Sequence, residues 1–168
     1  MAVRDAGRKG KGVFAARPFG PGETIFSAFE GPIVDRAGLE RLTAWEREHL
    51  SEFGVGLWRV LPEPRCYLNH ACDPNALGTE LDAVIALRAI SAEEEITIDY
   101  RLNAYDDGTG VWVMDCACDP VRGPHEVIGD FFALPPEAQE RYLEWAPAFI
   151  REMSAERATS SIEVLRNP

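Results

Sequence analysis

The chain has 168 residues, 46% hydrophobic and 10% aromatic, a makeup that fits one globular domain burying roughly two thirds of its unfolded surface and excludes a disordered chain. Its formal charge of −11 argues against direct nucleic-acid binding, which needs clustered Lys and Arg, and fits either a cationic partner or simple solubility. No apolar run reaches the ~20 residues of a membrane helix and no signal-peptide core opens the chain, so no membrane role and a cytoplasmic location (nuclear in a eukaryotic source) are expected.

In chain order, residues 13–16 and 24–29 read as strands flanking the turn formers Pro18, Gly20, Pro21 and Gly22. Residues 36–50 read as a helix, with Leu39, Leu42 and Trp45 three apart on one face. A strand is expected at 57–61 and a short buried one at 82–90. Residues 95–100 alternate with period two, placing Ile96, Ile98 and Tyr100 on one face and Glu95, Thr97 and Asp99 on the other. In the tail, Leu134, Ala138, Tyr142, Trp145 and Phe149 recur at helical spacing after Pro135 and Pro136, and Pro147 should kink or split that helix. The polar residues 154–168 are expected to be disordered.

Three segments carry residues suited to chemistry. Gly10-Lys11-Gly12 near the start allows close backbone approach to a ligand, but it does not extend to G-x-G-x-x-G, and no P-loop is present. Residues 69–75 read Asn-His-Ala-Cys-Asp-Pro-Asn, a segment that ends in turn chemistry. Residues 94–100 read Glu-Glu-Ile-Thr-Ile-Asp-Tyr. Taken singly, the second segment is a capped turn with a packed His70, and Tyr100 is a core tyrosine.

Together, in this order and with one hydrophobic strand between them, NHACDPN and EEITIDY resemble the two signature motifs of the SET-domain family, and the likeness extends over roughly residues 8–120. The resemblance implies a mainly β (α+β) fold. It would be a β-clip of short strands in which the two segments cross in pseudoknot-like fashion, with peripheral and C-terminal helices. It also implies methyl transfer from S-adenosylmethionine to the side-chain amine of a lysine in a basic protein or peptide. By resemblance Tyr100 is catalytic, and Lys11, Gly12, Asn69 and His70 bind the cofactor. Displacement at a sulfonium methyl demands alignment more than acid–base power, and a neutral phenol leaves the sulfonium charge intact. The attacking lysine must lose its proton, which an apolar channel favours. Tyr67, Tyr100, Tyr105 and Trp112 are the candidate channel residues.

The chain departs from the family pattern in its tail. Many members carry C-x-C-x4-C there, whose cysteines join that of NHxC to bind zinc. Cys116 and Cys118 match two positions and Cys72 the motif cysteine, but the third tail position is Gly123. His125 or Cys66 could supply a fourth ligand, neither at the family spacing. This reading disfavours bound zinc without excluding it, the alternative being thiols packed as small hydrophobes. Where well-studied relatives carry Phe or Tyr two residues before the catalytic tyrosine, this chain has Ile98, which implies addition of more than one methyl. The expected organisation is a small stand-alone SET domain over 8–120, a helical post-SET-like tail over 121–153 and a disordered end, in a monomer or homodimer. The competing reading is a catalytically silent SET-fold module that binds a basic peptide. A thiol-redox role is weak, because C-x-C is not C-x-x-C.

Overall fold

Glycine and proline turns recur so closely along this chain that its strands stay short. The computed structural model describes residues 1–79, 83–108, 110–116, 118, 123 and 125–166, with side chains to residue 159. Strand β1 (Ala2–Asp5) turns through Gly7–Lys9 into β2 (Lys11–Phe14), and Gly7 and Gly10 take φ of 65° and 75°, which favour glycine. β3 (Thr24–Phe26) and β4 (Ile33–Asp35) follow. Next come two short helices, α1 (Arg36–Leu39) and α2 (Ala44–Glu48), then β5 (Leu50–Gly54) and β6 (Leu57–Val60). The motif region holds β7 (Asn69–His70), β8 (Ala76–Gly78), β9 (Val84–Ala86) and β10 (Glu95–Ile98). β11 (Val113–Cys116), β12 (His125–Ile128), α3 (Pro136–Tyr142) and α4 (Ala148–Arg166) complete the chain.

The strands form four small sheets, ordered β1-β2-β10-β7, β3-β9-β8, β4-β6-β5 and β11-β12. This is the mainly β, α+β architecture anticipated. NHACDPN and EEITIDY meet as parallel neighbours, with Thr97 opposite Asn69 and Ile98 opposite His70.

The single helix expected over 36–50 is instead α1, α2 and the start of β5. Asp35 caps α1 by accepting from the Gly38 N–H (2.7 Å). Thr43 and Glu46 then form a reciprocal capping box that starts a new helix. Trp45 does not face a core; it stays 40% exposed and stacks on His49. Leu50–Gly54 pairs with β6 across a turn in which Gly56 has φ 68°. In the tail, α3 and α4 are separated by residues 143–147, which include Pro147, and α4 runs to Arg166.

Two apolar clusters share the β8–β9 ribbon as a common wall. Ala76, Val84 and Ala86 join Val13, Phe26 and Ile96 on one side. Leu77, with Ile85 and Leu87 packed alongside, joins Leu102, Phe131, Tyr142 and Ile150 on the other. The alternation of side chains along a strand produces this split. It brings the α3–α4 tail against the β3-β9-β8 sheet, on the face opposite the one that packs on β2 and β10. Phe149 is buried in this second cluster, so packing within the chain accounts for it, while Trp145 remains 40% exposed. Among the described residues, no helix is long and apolar enough to cross a membrane.

Candidate active site

Asn69 ties the three motif segments together. Its amide nitrogen donates to the Lys11 carbonyl of β2 (2.9 Å) and to Glu95 Oε1 of β10 (2.8 Å). Gly12 sits in the middle of this contact. A Cβ there would lie 2.8 Å from Glu95 Oε1, 2.9 Å from Ala6 Cβ and 3.0 Å from Asn69 Nδ2. The glycine is thus required by space, not by a positive φ. Lys11 extends from the same strand, with its Nζ 3.3 Å from the Tyr67 hydroxyl and over the Tyr67 ring.

His70 and Tyr100, thirty positions apart, are in direct contact. The Tyr100 backbone N–H donates to His70 Nδ1 (3.2 Å), and the ring centroids lie 5.4 Å apart. The Tyr100 hydroxyl donates to the Leu68 carbonyl (2.6 Å). Burial pushes the Tyr100 phenol up to about 12, so it is neutral at physiological pH. Burial lowers the His70 pKa against the opposing pull of Asp99, which keeps the imidazole neutral as well.

Tyr100 does not continue the strand as period-two alternation suggested. β10 stops at Ile98, and Asp99 caps a 3₁₀ turn over Tyr100–Asn103 by accepting from the Arg101 N–H. Asp99 is 3% exposed and receives the Arg101 guanidinium on both oxygens, at 2.9 and 2.6 Å. Asn75, read from sequence as a turn residue, is likewise buried. Its amide donates to the Glu95 carbonyl and Glu94 Oε1, and its oxygen accepts the Thr97 N–H. These two residues hold the motifs in register, where the sequence reading gave Asn75 a local turn and Asp99 a place on the polar face of a strand.

A cavity of about 230 Å³ opens beside Tyr100, lined among others by Leu68, Ile98, Trp112 and the β5 residues Ser51 and Glu52. Tyr100 touches His70 and also faces this cavity, whereas Lys11, Gly12, Asn69 and His70 lie outside its lining. Of the four aromatics expected in a channel, Tyr100 and Trp112 line it. Tyr105 packs on Phe149 and accepts the Gly56 N–H, and the Tyr67 hydroxyl donates to Glu63. Glu52 is a wall residue not singled out from sequence. Burial first, and nearby Asp107 second, raise its carboxyl to about 7.

Next to His70 lie the thiols of Cys72, Cys116 and Cys118, whose sulfurs and the His70 ring nitrogen fall within 4.8 Å of one another. Three thiols and an imidazole suit zinc chemically. Cys66 is separate and lines the cavity. Burial, then the Cys118 thiol, push Cys72 up to about 12.

The family model of the SET domain matches residues 10–101. The chain belongs to the SET-domain family. That span contains β2, both motifs and Tyr100, so the segments that converge in space are those the family model covers. Comparison of this SET domain with curated proteins gave no match.

Proposed function

We propose that this SET domain transfers a methyl group from S-adenosylmethionine to the side-chain amine of a lysine in a basic protein or peptide. The observation that carries the proposal is the position of Tyr100, in contact with His70 on one side and facing the cavity on the other. In this reading Lys11, Gly12, Asn69 and His70 hold the donor and Tyr100 is catalytic, with the lysine entering through the cavity. The cofactor, when bound, supplies an electrophilic methyl on a sulfonium. The neutral imidazole of His70 is compatible with such a cation.

The chain's own residues then have defined tasks. The Tyr100 O–H is committed to the Leu68 carbonyl, which leaves its lone pairs to face a cationic methyl and orient it. The apolar lining of Leu68, Ile98 and Trp112 desolvates the lysine stem and favours its neutral amine. The donor, held by Lys11, Gly12, Asn69 and His70, would supply the methyl group to this neutral amine, whose surplus proton would then pass to solvent. Glu48 and Glu52 at the cavity, within an acidic chain, suit a cationic substrate on approach.

The test is incorporation of labelled methyl from S-adenosylmethionine into a lysine-rich peptide, run with wild type and Tyr100→Phe beside calorimetric donor binding. The expected outcome is donor binding in both and transfer reduced on the order of 10²–10³-fold in the variant, the scale of losing one preorganised polar group. Transfer unaffected by Tyr100→Phe would overturn the role of the phenol. Donor binding with no transfer to any protein lysine would leave the silent peptide-binding module as the better reading.

A further inference from the structure

Two imidazoles approach the same sulfur. His70 Nε2 lies 3.3 Å from Cys72 Sγ and His125 Nε2 lies 3.2 Å from it. By proximity His70 completes the thiol group, but hydrogen bonding reverses the choice. A backbone N–H can only donate, and Tyr100 donates its own to His70 Nδ1. The neutral ring therefore carries its proton on Nε2 and presents a donor to Cys72. Asp99 Oδ1 stands 3.5 Å from Nδ1, but that oxygen already accepts from the Arg101 N–H and Nε and makes no hydrogen bond with the ring. His125 has the opposite arrangement. A carbonyl can only accept, and Gly123 O lies 3.0 Å from His125 Nδ1. The His125 proton is thus on Nδ1, and the lone pair on Nε2 is aimed at Cys72, the tautomer a metal ligand needs.

We infer that Cys72, Cys116, Cys118 and His125 form a closed tetrahedral zinc site, with His70 outside it as a hydrogen-bond donor to Cys72. The inference does not depend on methyl transfer. Each sulfur already faces one N–H: Cys72 that of His70, Cys118 the backbone N–H of Cys72, and Cys116 the backbone N–H of Cys118. Such donors stabilise thiolates bound to a metal. Cys116 and His125 are directly opposed across the β11–β12 ladder, which puts their side chains on one face. Tetrahedral zinc with Zn–S near ~2.3 Å and Zn–N near ~2.05 Å sets sulfur and nitrogen roughly 3.6 Å apart, so the His125–Cys72 pair, at 3.2 Å, needs a few tenths of an ångström of adjustment, and the His125 ring must also move in toward Cys116 and Cys118, which group more closely with His70.

Gly123 stands where the third tail cysteine was expected. With φ at 75° it is a poor position for a cysteine, and it contributes the carbonyl that orients His125. Binding exchanges the thiol protons of the three cysteines for Zn²⁺ and releases them to solvent. It also fixes the His70 ring, and through it the turn that begins at Tyr100.

The experiment uses the full chain, reduced and reconstituted with Zn²⁺, with zinc measured by mass spectrometry and its surroundings by X-ray absorption. The expected result is one zinc per chain with three sulfurs and one nitrogen around it. His125→Ala should weaken zinc affinity at least about 100-fold, whereas His70→Gln should cost only roughly tenfold, as for other outer hydrogen-bond partners. His125→Cys should retain the metal with four sulfurs, which serves as the readout if His125→Ala does not fold. Reconstituted wild type without zinc would overturn the site. A nitrogen ligand that survives His125→Cys and disappears in His70→Gln would move the fourth ligand to His70.

Discussion

Glu52 gives the sharpest test of the electrostatics of the cavity. Its carboxyl is raised from 4.5 to about 7, burial being the larger cause and Asp107 the smaller. A carboxyl with a raised folded pKa holds its proton more tightly folded than unfolded. Its contribution to stability is therefore complete below about pH 4.5 and is lost as the pH rises through 7. The shift of about 2.5 units corresponds to about 3 kcal/mol, and residual contact with water reduces the usable figure to about 2 kcal/mol. Glu52→Gln keeps the shape and removes the charge. At pH 8 the variant should exceed wild type by about 2 kcal/mol, or ~4–8 °C in melting temperature for a chain of this size, and at pH 5 the two should nearly coincide. Urea unfolding at half-unit steps from pH 5 to 8 reads this out, and subtracting the two curves removes histidine titrations common to both. Parallel curves across that range would refute the argument, as would a gain confined to pH 5.

Other perturbations follow from geometry. Gly12→Ala must displace Glu95 or Asn69, and donor affinity measured by calorimetry should fall at least about tenfold; an unchanged affinity would remove Gly12 from the binding set. Asn75→Ala leaves the Thr97 N–H and the Glu95 carbonyl unpaired in a buried setting and should cost about 2–4 kcal/mol in urea unfolding. A Cβ on Gly129 would come within 2.1–2.5 Å of the Trp112 indole, so Gly129→Ala should shift the tryptophan emission spectrum and impair transfer more than donor binding. Ile98 has no hydroxyl to hold a water beside the amine, and mass spectrometry should show di- or trimethylated product from wild type but mainly monomethyl product from Ile98→Tyr.

What could be read from the sequence was the chemistry-bearing segments. Asn69, His70 and Tyr100 are polar types in an uncommon arrangement, and the structure brings them together. The fold class followed from the same likeness. What could not be read depended on events between segments. Period-two reading set Asp99 on the polar face of a strand running to Tyr100, whereas the strand ends at Ile98 and Asp99 caps the following turn, buried beside Arg101. The 36–50 helix is interrupted because Thr43 and Glu46 form a capping box that begins a separate helix, and because Leu50–Gly54 has a ladder partner. His125 is among the ligands the sequence offers, but no spacing rule selects it, since it reaches Cys72 only through the pairing of β11 with β12.

The ribbon that separates the two apolar clusters has a consequence for how this molecule can be dissected. A fragment ending near residue 120 would wet Leu77, Ile85 and Leu102, and would lose Pro147 from the cavity rim. Trimming the tail should therefore cripple the motif-bearing half rather than release it, and calorimetry of the intact chain should record one cooperative melting event instead of two.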